Sequence, residues 1–210
     1  DLPIEEQPAP FEDPDNEEAY TPTRNGFYGQ LIQRFTDGVD TRSKGHTAVE
    51  AAKVLQDDPE FAAALGTLAD DLDVSPGAIM AVMDFETGGT FSTDVRNAAG
   101  SGATGLIQFM PATARALRKT TEALAGMTRA QQLVYVTKYF KQFEGRIRGG
   151  DIDDVYMAVL YPKAIGKPDG YALFREGTIA YKQNAGLDTN KDGVVTKFEA
   201  AAKVRSRYYG

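Results

Sequence analysis

The stretch "AVMDFETGGTFSTDVRNAAGSGATGLIQFMP", residues 81–111, sets an apolar run against a glycine-rich loop and leaves one carboxylate, Glu86, at the junction. Gly88 and Gly89 are the usual stop signal of a helix, so Glu86 falls in its last turn. Ser75 followed by Pro76 marks the other end, because the serine oxygen caps free amides while proline occupies a first-turn position that needs no N–H donor. The spacing therefore predicts a helix from about Pro76 to Glu86. A carboxylate in the final turn faces the negative end of the backbone dipole, which disfavours its charged form and makes Glu86 a candidate general acid. The plainer reading is a solvated residue at a helix end.

Outward from this stretch the chain is organised by helical periodicity. "HTAVEAAKVL" (46–55) places Thr47 and Glu50 at capping-box spacing, and Phe61, Leu65, Leu68 and Leu72 then recur at helical intervals, which predicts two helices. A glycine-rich loop is expected from about Thr90 to Ala103, followed by a helix entered near Leu106 and interrupted at Pro111. "TRAQQLVYVTKYFKQFEGRI" (128–147) is the clearest helix, with Thr128 and Gln131 as a capping box and Leu133, Val136, Phe140 and Phe143 along one face. Asp151 to Asp154 open another that runs through Leu160. Strand-like alternation is weak and confined to "GTIAYKQ" (177–183), so the fold class is mainly α.

Charge is unevenly placed. The first 20 residues hold eight of the 30 acidic residues and four prolines but no Lys or Arg, leaving a body with 23 basic and 22 acidic side chains. A near-neutral body has no basic excess to hold nucleic acid, and an acidic tail is repelled by phosphate. That tail, residues 1–25, reads either as a solvated leader or as an arm that docks through Phe11 and Tyr20 on a partner protein. Residues 26–45 read as a linker with one short helix near Leu31. No apolar run approaches the roughly eighteen residues that a membrane span needs. The absence of cysteine leaves the redox compartment open.

"DTNKDGVVTKFE", residues 188–199, fits the calcium-loop pattern D-x-[DN]-x-[DN]-G-x5-E at every constrained position. Asp188, Asn190 and Asp192 offer side-chain oxygens, Val194 its carbonyl, Thr196 its hydroxyl directly or through water, and Glu199 both carboxylate oxygens. Val195 belongs in the core. With a single loop and a short incoming segment broken by Gly186, the expected role of a bound Ca²⁺ is structural, fastening residues 188–210 to a body spanning 46–187. A metal-free turn is the alternative.

Glu86 together with "SGATGLIQFMPATA" (101–114) resembles the active-site region of soluble lytic transglycosylases and the related goose-type lysozymes. In that family a helix-terminal Glu is followed about twenty residues on by G-A-x-G-L-M-Q-x-M-P, and Gly102 to Pro111 match it with one conservative change. "YMAVLYPKAIG" (156–166) is similar to the family's A-x-A-Y-N-A-G segment and aligns Tyr161 with its tyrosine. The sequence departs from the pattern at Ala99, where the family has serine, and at Pro162 and Ala164 after the tyrosine. The resemblance covers roughly residues 60–185.

It implies a lysozyme-like helical domain with a C-terminal EF-hand-like loop, Glu86 as the catalytic acid, and Ser101, Gln108, Met110 and Tyr161 as substrate-binding residues, Tyr161 beside the acid. By itself a methionine at 110 reads more often as core than as cleft. The implied activity is cleavage of the β-1,4 bond between N-acetylmuramic acid and N-acetylglucosamine in peptidoglycan, giving a 1,6-anhydro end. Asp84 is two positions from Glu86, about 200° around a helix, and should point away. Asp94 reads as a loop cap, so one carboxylate is expected to act as both acid and base. The alternatives are a hydrolytic lysozyme of the same fold and a structural virion component with little catalysis. The details of the loop resemble phage-borne versions, which implies a virion tail or baseplate acting on the wall; a secreted or periplasmic enzyme is the other placement.

Overall fold

The computed structural model describes residues 46–98 and 100–209, which are mainly helical. The acidic tail with Phe11 and Tyr20, the linker with its short helix near Leu31, and Ala99 lie outside these residues. Helix α1 spans His46–Asp57 and α2 spans Pro59–Leu72. Thr47 is already inside α1, which begins no later than His46, so it is not that helix's cap; the side chains of Thr47 and Glu50 lie outside the described residues. Asp58 caps α2 by accepting from the Phe61 amide at 3.1 Å, and the helix ends on Asp73 in the left-handed region at φ +53°.

Helix α3, Pro76–Thr87, starts where its sequence signals place it: the Ser75 hydroxyl accepts from the Gly77 amide at 3.2 Å. Gly88 ends it at φ +62°, a conformation that carries no steric cost without a Cβ. Ile79, Met80, Val82 and Met83 are all 1% exposed or less, so α3 is covered on every side and forms the axis of the domain. Each of these side chains contributes about 1.5–3 kcal/mol by leaving water. The core that surrounds it is one cluster running from Ala51 to Val204.

Past the glycine-rich loop, α4 (Pro111–Ala116) and α5 (Thr121–Ala125) are short. Helix α6 (Arg129–Lys141) carries the expected capping box between Thr128 and Gln131, and packs on α2. After α7 (Glu144–Ile147), Asp151 caps α8 (Ile152–Leu160) by accepting from the Asp154 amide at 3.0 Å. Strand β1 (Ala172–Arg175), α9 (Ile179–Asn184), strand β2 (Val194–Thr196) and the final helix α10 (Lys197–Tyr209) complete the order. The two strands pair antiparallel, and α10 lies against α8 and α3. No helix among the described residues is long and apolar enough to cross a membrane.

Two local expectations are corrected. No helix is entered at Leu106: residues 104–109 form a turn closed by Thr104 and Phe109, whose amides bond each other's carbonyls at 3.1 and 2.8 Å, and the helix begins at Pro111. The left-handed conformations of Gly105 and Gln108 are incompatible with helix there. The alternating segment 177–183 is the start of α9, because the Thr178 hydroxyl accepts from the Tyr181 amide at 3.0 Å and caps a helical turn.

Candidate active site

Glu86 sits one residue from the end of α3 and is half-buried. Burial pushes its carboxyl up to about 7. Two tyrosines feel its charge: Tyr139 from α6 and Tyr156 from α8, whose hydroxyls are held above the usual tyrosine range first by burial and then by Glu86. The Tyr139 hydroxyl donates to the Ala158 carbonyl at 2.7 Å, tying α6 to α8 beside the acid. Phe85 meets the Tyr156 ring edge-on, with centroids 5.6 Å apart, and Phe109 from the loop meets Tyr139 in the same way at 6.3 Å. Tyr139 and Tyr156 thus stand, buried and from two other helices, near enough to feel the carboxyl, a setting in which a glutamate stays protonated near neutral pH.

Neither nearby aspartate is a plausible second catalyst. Asp84 is 1% exposed and ion-paired with Arg207 of α10. Asp94 is exposed, and its carboxylate is engaged within the loop by a hydrogen bond from the Ser92 hydroxyl at 2.5 Å.

The loop after Glu86 is fixed by a residue that the sequence reading did not single out. Gln132 is fully buried in α6; its Oε1 accepts from the Leu106 amide at 2.7 Å, and its Nε2 donates to the Thr93 and Leu124 carbonyls at 3.0 and 2.7 Å. A Cβ on Gly105 would lie 2.3 Å from that Oε1, so glycine is required there by the close approach of the amide as well as by φ +78°. Gln132, Val136, Tyr139, Phe140 and Phe143 form one helical stripe, and a polar residue at the head of an apolar stripe is the signal that would have found it.

Ser101 and Gln108 shape the same loop. The Ser101 Oγ accepts from the Ala103 amide at 3.3 Å, and the Gln108 Nε2 donates to the Val95 and Gly105 carbonyls at 3.2 and 3.1 Å, which leaves the Gln108 carbonyl oxygen for other partners. Met110 is half-buried at the start of α4. Tyr161 ends α8, its ring edge-on to Phe174 of β1 at 5.7 Å. An apolar groove of about 190 Å³ between α2 and α6, lined by Leu68, Leu133, Val134 and neighbours, involves none of these residues.

Residues 188–199 close on themselves. Asp188 accepts from the Lys191 and Gly193 amides at 2.7 and 3.0 Å, and the Tyr181 hydroxyl donates to it at 2.6 Å. That last bond leads in holding the Asp188 carboxyl below its usual range. Asn190 and Asp192 accept from the Asp192 and Val194 amides at 2.9 Å each, and Asn190 Nδ2 donates to Asp192 Oδ2 at 3.1 Å. Burial raises the Glu199 carboxyl, but hydrogen bonds from Thr196, Thr189 and Asn190 outweigh it and keep the group below its ordinary value. Thr196 and Glu199 also form a reciprocal cap on α10, at 3.0 and 3.3 Å.

Among the described residues no three His, Asp or Glu side chains gather as an ion site. Only three of the six donors expected in this loop are carboxylates; the others are an amide, a carbonyl and a hydroxyl. That all-oxygen set on one short loop fits the chemistry of calcium. Val195 is fully buried, as expected.

Comparison with protein families, with curated proteins and with solved structures finds no match to this chain.

Proposed function

We propose that this chain cleaves the glycan strands of peptidoglycan as a lytic transglycosylase, with Glu86 as its single acid and base. The observation that carries the reading is the state of Glu86: half-buried, near enough to Tyr139 and Tyr156 for both to feel its charge, with burial alone raising its carboxyl to about 7, and with neither Asp84 nor Asp94 available as a second catalyst.

A protonated Glu86 gives its proton to the oxygen between N-acetylmuramic acid and N-acetylglucosamine as the C1–O bond breaks. The positive centre left on the muramoyl ring is stabilised by the substrate's own acetamido group, as in other substrate-assisted glycosidases. The Glu86 carboxylate then takes the proton from the muramoyl C6 hydroxyl, O6 bonds to C1, and the acid is restored. Proton count balances with no water consumed, which suits a site with one carboxylate. An inverting hydrolase needs a second carboxylate about 6.5–9.5 Å away. In this reading Ser101, Gln108, Met110 and Tyr161 contact the sugar chain, the Gln108 carbonyl oxygen accepting from a hydroxyl or acetamido N–H.

In the same reading Asp188, Asn190, Asp192, Val194, Thr196 and Glu199 hold one Ca²⁺, which supplies charge neutralisation within the loop and no chemistry at Glu86. The place of action is the bacterial wall, reached from a phage tail or baseplate with the N-terminal tail contacting other virion proteins. Zymography on purified cell walls with the parent chain and Glu86→Gln tests the proposal: the parent clears the gel and the variant does not, whereas clearing by both removes Glu86 from the mechanism.

A further inference from the structure

Helix α10 grips α3 on the side away from Glu86, and it does so at two points. Gly77 and Asp84 are seven residues apart, two turns of helix, and so share one stripe of α3. At one end of that stripe the Tyr208 ring covers Gly77, closely enough that a Cβ there would come within 3.0 Å of the ring. At the other end Arg207 is ion-paired with Asp84, and its guanidinium also stands over the Phe85 ring at 5.9 Å. Phe85 in turn meets Tyr156, one of the two tyrosines that feel the charge of Glu86.

The pair is unsymmetrical. Asp84 is 1% exposed, whereas the Arg207 side chain keeps a third of its surface in water. A carboxylate buried this deeply is costly to desolvate, and apolar side chains of similar volume would hold two helices together as well or better. What the ion pair adds is a defined orientation of the helix end that carries it. It is made between residues 123 positions apart, directly behind the last turn of α3.

We propose that Asp84 and Arg207 are positioning residues for Glu86: their pairing fixes the rotation of the last turn of α3, so that the carboxyl group meets the glycosidic oxygen. This rests on the reading of Glu86 as the acid. Arg207 touches neither substrate nor Glu86 in this account and acts through Asp84 and Phe85. The titratable groups that feel the acid are Tyr139 from α6 and Tyr156 from α8, while Asp84 and Arg207 neutralise each other on the opposite side of α3.

The test uses Arg207→Met, Asp84→Asn and Arg207→Lys in the full chain. Two readouts are taken: turnover on glycan strands, and titration of the Glu86 side-chain carboxyl carbon by NMR, assigned with Glu86→Gln. Positioning predicts that the first two variants remain cooperatively folded, that turnover falls about ten- to hundredfold with KM within about twofold, as for a slightly misplaced acid, and that the Glu86 midpoint moves. Arg207→Lys should recover most of the turnover. Should Arg207→Met fail to fold, Asp84→Asn decides, because the partly exposed Arg207 remains solvated without its partner. Folded variants with parental turnover and an unmoved Glu86 midpoint would overturn the proposal and leave the pair as a simple fastening. A parent chain with no turnover at all defeats the acid reading instead, and the Glu86 midpoint still decides whether the pair positions the residue.

Discussion

Replacing Glu86 by glutamine should make the protein more stable above neutral pH while removing its activity. In the folded chain the Glu86 carboxyl lies at about 7, against 4.5 for an unburdened glutamate. Between those two values the folded state holds a proton that the unfolded state has released. The linkage relation then makes stability fall as pH rises through this window and level off above about 7. A shift of two and a half units corresponds to roughly 3 kcal/mol, reduced to about 2–3 kcal/mol because the side chain is only half-buried. Glutamine has the same shape and no charge, so it escapes the penalty. Urea unfolding of parent and variant at intervals from pH 4 to 8.5 isolates the effect, since other titrating groups cancel in the difference. The variant should match the parent near pH 4, gain steadily between about 4.5 and 7, and stay ahead by about 2–3 kcal/mol at pH 8. A difference that is flat with pH would refute the reasoning, because it would mean that Glu86 ionises as freely when folded as when unfolded.

Gln132→Ala strands two buried backbone groups and a partly buried one and should cost about 2–4 kcal/mol in urea unfolding, whereas a loss under about 1 kcal/mol would remove Gln132 as the loop's fastening. Gly105→Ala should be less damaging in the Gln132→Ala background than alone, because its clash partner is gone; additive losses in a double-mutant cycle would contradict the geometry. Tyr139→Phe orphans the Ala158 carbonyl and should lower stability by about 1–2 kcal/mol in urea unfolding; an unchanged midpoint would remove that bond as the tie between α6 and α8. Calcium at a hundredfold excess over Kd should add roughly 2.7 kcal/mol to stability, a rise of several degrees in calorimetry, and identical melting curves with chelator and with millimolar calcium would reject the clamp.

Much of this architecture was legible from local signals, because helix caps are local chemistry. Ser75 with Pro76, Thr128 with Gln131, and Asp151 each announce a helix through groups three or fewer residues away, and each cap is made. The position of Glu86 in the last turn of α3 follows from Gly88 in the same way. What the sequence hid depends on contacts distant along the chain. Neither Tyr139 nor Tyr156 was singled out in the sequence, and it is the fold that brings them, from α6 and α8, near the acid. Gln132 serves a loop up to 39 positions away, and Arg207 meets Asp84 across 123. The helix expected at Leu106 failed for a backbone reason, the left-handed residues Gly105 and Gln108. The strand suggested at 177–183 failed because the Thr178 cap outweighs a weak alternation.

The central claim is that one carboxylate cleaves the glycan strand without water. Mass spectrometry of muropeptides released by the parent chain tests it directly. Every new muramoyl end should carry the 1,6-anhydro form, one water lighter than a reducing end, and Glu86→Gln should release none; reducing ends as the main product would make the protein a hydrolase with a second base, and no release by the parent would end the enzymatic reading.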